Sequence, residues 1–73
     1  MRVLVVDDDT RLSGVLLRAL TEAGHSGQAA HTGPDGLEEA TLGEYDVIVL
    51  DWMLPGMDGP AVCRALRARD IRT

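Results

Sequence analysis

Short apolar runs alternate with longer amphipathic stretches along this 73-residue chain. Residues 3–6 and 47–50 are uniformly apolar and rich in β-branched side chains, and both runs are too short for a helix. This pattern predicts two strands that are buried on both faces. Residues 25–31 are only partly apolar and predict a third, weaker strand.

A helix is predicted after the first strand, over residues 9–24. Its apolar residues recur at helical spacing, and the predicted inward face consists of Leu12, Leu16, Ala19, Leu20 and Ala23. Asp9 or Thr10 can cap the start of this helix, and Gly24 lies where a left-handed C-cap is expected.

Two further helices are predicted over residues 33–43 and 60–70. The first should turn Leu37, Ala40 and Thr41 inward and end at Gly43. The second carries Pro60 in its first turn, where the missing N–H does no harm. Its inward face is predicted to hold Val62, Cys63 and Leu66, with Arg64, Arg67 and Arg69 toward solvent.

The predicted elements alternate strictly between strand and helix, which is typical of an α/β domain with a parallel sheet. The two apolar strands should be central and the weak second strand should lie at an edge, which gives the strand order 2-1-3. Right-handed crossovers then place helices on both faces of the three-stranded sheet.

Acidic residues follow both apolar strands at the point where each strand ends. Asp7 and Asp8 follow the first strand, and Asp51 follows the third. In the order 2-1-3 these ends are neighbours at a topological switch point, where open α/β sheets bind their ligands. Carboxylates gathered there repel one another unless a cation is present. Mg²⁺, which prefers oxygen ligands, is therefore the predicted cofactor.

Composition and charge exclude several classes of function. The net charge is −5 and all seven basic residues are Arg, so nucleic-acid binding by this segment is not expected. No apolar stretch approaches the length of a membrane span or a signal peptide, and Cys63 is the one cysteine. We therefore expect a cytoplasmic segment without a disulfide or a membrane contact.

The motifs LVVDDD and VLDWMLPGMDG, together with the YD before the third strand, resemble the receiver domain of two-component response regulators. The resemblance covers the whole chain, including the spacing between the motifs. It implies a flavodoxin-like fold, whose complete form has five strands in the order 2-1-3-4-5. The segment DWMLPGMDG is most similar to the corresponding segment of OmpR-type regulators, which carry a winged-helix DNA-binding output domain.

The resemblance also implies roles for individual residues. Asp51 would accept a phosphoryl group from a sensor histidine kinase, making this a phosphoacceptor signalling domain and not an enzyme. Asp8 and Asp51 would ligate Mg²⁺ directly, Asp7 mostly through water, and Met53 through its backbone carbonyl. The residues expected to shape the loop are Pro55, Gly56, Asp58 and Gly59.

The chain departs from the family pattern at its C-terminal side. Residues 1–73 correspond to strands 1–3 and helices 1–3, without strands 4 and 5 or an effector domain. The family's Thr or Ser after strand 4 is therefore missing, and no Lys is present to replace the one after strand 5. We expect slow or absent phosphotransfer and loss of switching. The outer edge of strand 3 would lack a partner, which predicts self-association or a poorly folded monomer.

Several residues allow a second interpretation. Asp9 is expected to cap helix 1 instead of joining the metal site. The two histidines, His25 and His31, are expected to be solvated, and Cys63 to be half-buried. Trp52 could report on metal binding or simply pack over its loop.

Two other protein classes match the acidic segments less well. Asp7 and Asp9 fit the start of a haloacid-dehalogenase-type phosphatase motif, but Arg11 stands where that motif needs Thr or Val. Neither acidic segment has the spacing of an EF-hand loop. A non-phosphorylated half-receiver that only dimerises remains the main alternative to a phosphoacceptor.

Overall fold

The computed structural model describes all residues 1–73 and contains the six elements that the sequence predicts. The strands are β1, Arg2–Val6, β2, Ser26–Ala30, and β3, Val47–Leu50. The helices are α1, Thr10–Glu22, α2, Gly33–Leu42, and α3, Gly59–Ala68.

The sheet is parallel, and its order β2-β1-β3 confirms the sequence prediction. Val6, the last residue of β1, is in register with Ala30 of β2 and Leu50 of β3. All three strands therefore end at one edge of the sheet. The apolar run at the centre of the sheet is almost fully buried, as expected for a strand covered on both faces.

The predicted caps are present at both ends of α1. The Asp9 carboxylate accepts hydrogen bonds from the backbone N–H groups of Arg11 and Leu12, which identifies Asp9 as the N-cap. At the other end Gly24 adopts a φ of 89°, the left-handed conformation that favours glycine after a helix. Thr32 caps α2 in the same way as Asp9 caps α1.

One side of the sheet, which we call the closed face, is covered by both α2 and α3. Leu4 and Val6 point to this side and are fully buried. The helices contribute Ala40, Val62 and Leu66 to the same cluster, and partly buried Ile48, Leu50 and Ile71 pack around it. The main hydrophobic core of the molecule therefore lies on the closed face.

The opposite side, the open face, is covered by α1 alone. Val3 and Val5 point to this side and are buried, whereas their β3 neighbours Val47 and Val49 are 39% and 47% exposed. Helix α1 packs over β2 and β1, so the β3 end of this face has little cover. The expectation that β3 is buried on both faces is therefore wrong for this side.

The predicted inward face of α1 is wrong in part. Leu16 and Leu20 are partly buried as expected, but Ala19 and Ala23 are exposed and Leu12 is 45% exposed. The helix turns Ser13 inward instead, with only 1% of this residue exposed. The helix lies toward β2, where Leu17 reaches Gly27, so the turn that carries Leu12 faces away from the core.

Two smaller predictions about the other helices also fail. Thr41 is exposed and its hydroxyl donates a hydrogen bond to the Leu37 carbonyl, which is a common arrangement for Thr on a solvated helix surface. Cys63 is exposed, because Val62 and Leu66 already occupy the face of α3 that contacts the sheet.

Candidate functional site

The backbone hydrogen bonds of the sheet continue into the acidic residues. They hold the backbone of Asp7 and of Asp51 against the neighbouring strand. The Asp7 N–H donates to the Ala30 carbonyl at 3.0 Å, and the Asp51 N–H donates to the Val6 carbonyl at 2.9 Å. The ends of all three strands are thus tied together at one edge. Asp7 and Asp51 are held at the base of the site by the same ladder that forms the sheet.

The carboxylates of Asp7, Asp8 and Asp51 meet at this edge, as the sequence predicts. One oxygen from each lies within 4.8 Å of the others. The Asp7 Oδ1 accepts a hydrogen bond from the Asp9 N–H, and the Asp51 Oδ1 accepts one from the Trp52 N–H, both at 2.9 Å. The second oxygen of each of these two carboxylates is free of protein hydrogen bonds, and Asp8 is exposed to solvent.

The charges at this edge are not balanced by basic side chains. The one ion pair in the chain joins Arg72 to Asp70, away from the acidic cluster. Carboxylates at these separations repel one another, and a divalent cation would offset the repulsion. A set of donors made only of carboxylate oxygens, open to water on one side, suits Mg²⁺ better than a softer metal. The residues present therefore fit the predicted cofactor.

The loop after Asp51 is anchored at two points. The Gly59 N–H donates to the Trp52 carbonyl at 2.9 Å, and the Gly33 N–H donates to the Pro55 carbonyl at 3.1 Å. A Cβ atom at Gly59 would come within 2.3 Å of the Asp51 carbonyl oxygen, so only glycine permits this approach. Met53 lies between the anchors with an exposed side chain, and the proposed metal contact of its carbonyl stays a prediction.

The other predicted loop residues have structural roles. The Asp58 carboxylate accepts a hydrogen bond from the Ala61 N–H at 2.8 Å and is the N-cap of α3. Gly56 has a φ of 79°, in the region that favours glycine. These residues shape the loop from outside the acidic cluster.

Sequence reasoning missed two residues that contact the acidic segment. His31 is exposed as predicted, but its Nδ1 lies 2.9 Å from the Asp7 carbonyl oxygen. The buried Ser13 hydroxyl donates to the Asp9 carbonyl at 3.0 Å and lies 3.5 Å from the Asp7 carbonyl. The predicted strand order could have indicated the contact of His31 with Asp7, because the residue after β2 must lie beside the residue after β1.

The remaining candidate residues lie around or away from the site. His25 is half-buried at the opposite end of β2, so it is not fully solvated. Trp52 is strongly exposed and does not pack over its loop. Together with Leu50, Pro60 and the exposed Cys63, it borders a shallow depression next to Asp51.

The fold and the acidic edge together define an α/β domain with three carboxylates at the ends of neighbouring parallel strands. Comparison with known proteins names its family. The family model described as the response regulator receiver domain matches residues 3–73. The chain therefore belongs to the receiver domain family of response regulators, as its motifs imply, and this family is one of signalling and regulatory proteins. The phosphatase alternative is set aside, because the receiver family accounts for nearly the whole chain.

Relatives among curated proteins are named as transcriptional regulatory proteins or as response regulators. The chain is 42% identical over 73 residues to the transcriptional regulatory protein TcrA of Mycobacterium tuberculosis, covering 100% of this chain and 29% of that protein. It is 44% identical over 68 residues to the response regulator MprA of Mycobacterium avium, covering 93% of this chain and 30% of that protein. The chain thus spans about 30% of the length of these relatives.

Solved structures of receiver domains are similar to the chain throughout. The receiver domain of the Francisella response regulator 1452 gives a TM-score of 0.94 at 36% identity, covering 99% of this chain and 60% of that one. The response regulator TrrA of Thermotoga maritima, solved in complex with Mg²⁺ and BeF, gives a TM-score of 0.87 at 34% identity. That match covers 93% of this chain and 59% of TrrA. None of the helices described here has the length and apolar character of a membrane span.

Proposed function

We propose that this chain is the phosphoacceptor segment of a response regulator, with Asp51 receiving a phosphoryl group from a sensor histidine kinase. The observation that carries this proposal is the meeting of the Asp7, Asp8 and Asp51 carboxylates within 4.8 Å at the ends of neighbouring parallel strands. Membership of the receiver family supports the same role. The output is transcriptional control by a DNA-binding domain outside this chain, in line with the names of the relatives.

The proposed chemistry is transfer of one phosphoryl group. A carboxylate oxygen of Asp51 attacks phosphorus, a P–O bond forms, and the P–N bond to the kinase histidine breaks, with the electron pair leaving on the imidazole. The Asp51 Oδ1 is held by the Trp52 N–H, so the other oxygen is the one directed outward for attack. Mg²⁺, when bound, would neutralise charge on the carboxylates and the phosphoryl oxygens.

The residues that would hold Mg²⁺ are those of the acidic edge. Asp8 and Asp51 are the proposed direct ligands, Asp7 contributes mostly through water, and the Met53 carbonyl completes the set. The engagement of the Asp7 Oδ1 by the Asp9 N–H leaves one Asp7 oxygen for this purpose. TrrA, whose solved complex contains Mg²⁺ and BeF, supports the choice of metal.

Coverage of the receiver structures suggests what the chain lacks. The chain spans 60% of the Francisella receiver, which supports the proposal that residues 1–73 are the N-terminal, three-stranded part of a receiver domain. No Lys is present to contact the phosphoryl group. We therefore expect phosphotransfer onto this chain alone to be slow.

The test is intact-mass spectrometry after incubation with Mg²⁺ and acetyl phosphate, a small-molecule phosphoryl donor. The expected result is slow addition of one phosphoryl group to the native chain and none to Asp51→Asn. Modification of Asp51→Asn to the same extent would show that another residue accepts the group. An unmodified native chain that still binds Mg²⁺ would contradict the phosphoacceptor role for this segment.

Two neighbouring substitutions separate the metal site from its surroundings. Asp8→Asn and Asp9→Asn remove the same charge from adjacent residues. Asp8→Asn should abolish measurable Mg²⁺ binding, whereas Asp9→Asn should retain it, because Asn caps a helix about as well as Asp. Equal losses in both variants would show that Mg²⁺ responds to overall charge and not to a built site.

A second candidate function is that of an association module. It is supported by the outer strand of the sheet, β3, and not by the acidic ends of the strands. β3 pairs only with β1, so its other edge carries unpaired backbone groups. The exposure of Val47 and Val49 adds apolar surface beside that edge. Such an edge is a template for pairing with another strand, and we propose that the 73-residue chain self-associates through β3.

Sedimentation velocity over a range of concentrations tests the association. Val49→Lys places a charge beside the β3 edge, and Gln28→Lys places the same charge on the opposite edge strand, β2. The native chain and Gln28→Lys should associate, and Val49→Lys should be monomeric. A native chain that is a stable monomer at every concentration would contradict this second function.

A further inference from the structure

The imidazole of His31 contacts the backbone of the acidic segment. Its Nδ1 lies 2.9 Å from the Asp7 carbonyl oxygen, at the end of β2 where the strand leaves the sheet. A carbonyl oxygen can only accept a hydrogen bond, so Nδ1 must be the protonated nitrogen in this contact. The contact bridges 24 positions of the sequence and adds a side-chain tie to the backbone hydrogen bond that already joins the Asp7 N–H to the Ala30 carbonyl.

A second polar side chain, on helix α1, lies near the same carbonyl. The Ser13 hydroxyl, buried under α1, lies 3.5 Å from the Asp7 carbonyl oxygen and donates to the Asp9 carbonyl at 3.0 Å. The N–H of Asp7 is already held by the Ala30 carbonyl. Both backbone polar groups of Asp7 are therefore tied to neighbouring elements.

The orientation of the Asp7 carbonyl matters because it belongs to the peptide unit that joins Asp7 to Asp8. A peptide unit is planar, so fixing its carbonyl restricts the backbone rotations on both sides of it. Those rotations determine the directions in which the two side chains leave the backbone. The hydrogen bond from the Asp9 N–H to the Asp7 Oδ1 then fixes one carboxylate within that frame.

We propose that His31 is a positioning residue of the acidic site, whose Nδ1–H holds the Asp7–Asp8 peptide so that both carboxylates are oriented for Mg²⁺. This inference rests on the metal-dependent function proposed above. It assigns His31 no contact with the metal and no part in the transfer of the phosphoryl group. The role is that of an outer partner that orients ligands, and such partners affect metal affinity without binding the metal.

The test compares three single variants of the whole chain by calorimetric titration with Mg²⁺. His31→Ala removes the donor. His31→Asn keeps an N–H donor at a similar distance from the backbone. His25→Ala removes the other imidazole, at the opposite end of the same strand, and is the matched control.

His31→Ala should weaken Mg²⁺ binding roughly three- to tenfold, less than the 10–100-fold loss typical when a ligating side chain loses its partner, because this contact is to the backbone. His31→Asn should stay within about twofold of the native chain, and His25→Ala should be unchanged. Native affinity in His31→Ala would overturn the inference, and so would equal weakening in His31→Asn. A lower melting temperature in His31→Ala with unchanged Mg²⁺ affinity would also overturn it, since that pattern marks a purely structural contact.

A measurement without metal distinguishes this inference from the proposed function. The Asp9 amide reports on the Asp7 carboxylate through its hydrogen bond, so its ¹H–¹⁵N signal should shift in His31→Ala and return in His31→Asn. If the native chain bound no Mg²⁺, the proposed function would fail, and this spectrum would still decide whether His31 orients the acidic segment. An unchanged Asp9 signal in His31→Ala would overturn the positioning role.

Discussion

The two faces of the sheet are built from the same three strands but differ in how completely they are covered. On the closed face, α2 and α3 together bury Leu4 and Val6 of the central strand and pack against Ile48 and Leu50 of β3. On the open face, a single helix covers β1 and β2 and leaves Val47 and Val49 partly exposed. Stability should therefore be concentrated on one side of the molecule.

The acidic site lies at the ends of the strands, which both faces share. The hydrogen bonds that hold its residues come from different helices on the two faces. The loop after Asp51 is anchored to α2 and α3, through Gly33 and Gly59. Asp7 is supported from the open side by Ser13 of α1. The position of Asp51 therefore depends on the main core, whereas the acidic pair of β1 depends in part on a helix with a thinner apolar contact.

The largest expected difference between the faces comes from one leucine on each. Leu66→Ala on α3 empties a buried position of the closed face and should cost about 2–5 kcal/mol in the free energy of unfolding. Leu12→Ala on α1 removes the same atoms from a position that is 45% exposed and should cost only about 1 kcal/mol. Urea denaturation followed by circular dichroism measures both.

Leucine and alanine differ little in helix propensity, so the two variants differ mainly in burial. In a chain of this size the loss at Leu66 is a large part of the total stability and should leave much of the protein unfolded. Similar losses at both positions would mean that the open face is covered in solution, by a second copy or by another surface.

A smaller difference is expected when a methyl group is added to a helical glycine on each side. A Cβ at Gly36 of α2 would lie 2.6 Å from Cγ1 of the fully buried Val6, so Gly36→Ala should cost about 1–3 kcal/mol through overpacking. A Cβ at Gly14 of α1 would meet nothing within 4 Å. Gly14→Ala should therefore stabilise the chain by about 0.5–1 kcal/mol.

Thermal unfolding of the two glycine variants beside the native chain gives the signs directly. Opposite shifts in melting temperature are expected. A stabilising Gly36→Ala would show that the contact between α2 and β1 is looser than the structure has it, and a destabilising Gly14→Ala would show that α1 carries an unrecognised contact.

The elements and their order could be predicted because they follow from local pattern and strand composition. The apolar runs that became β1 and β3, and the caps at Asp9 and Gly24, need no knowledge of the tertiary structure. The meeting of Asp7 with Asp51 followed from the order 2-1-3 alone. These predictions succeeded because each depends only on the direction of the chain and on which strands are buried. Both can be inferred from the pattern of apolar residues.

The inward face of α1 could not be predicted because several faces of that helix are apolar. Leu12 and Leu16 share one side of the helix, and Leu17 widens this apolar surface toward Ser13. Which part of the surface turns inward depends on where α1 crosses the sheet. Gly27 of β2 has no side chain and leaves room for Leu17 beside it. Ser13 lies one turn before Leu17 on the same side of the helix and is therefore buried as well. The contact of His31 with Asp7 was missed for a different reason, since an exposed histidine gives no signal until the strand register is applied.

The smallest expected effect concerns Tyr45, the ionisable group of the closed core. Burial, together with the hydrogen bond from its hydroxyl to Glu39 at 2.8 Å, raises the pKa of Tyr45 above its usual value of 10.0. The folded state thus favours the protonated phenol. This contribution is complete below the unfolded pKa and is lost as the pH rises through the higher folded pKa. Melting temperature should fall above pH 10.0 in the native chain but not in Tyr45→Phe, and the absence of Lys removes the commonest competing titration. An equal fall in Tyr45→Phe would assign the alkaline loss to another group and leave the closed face without a titrating contact.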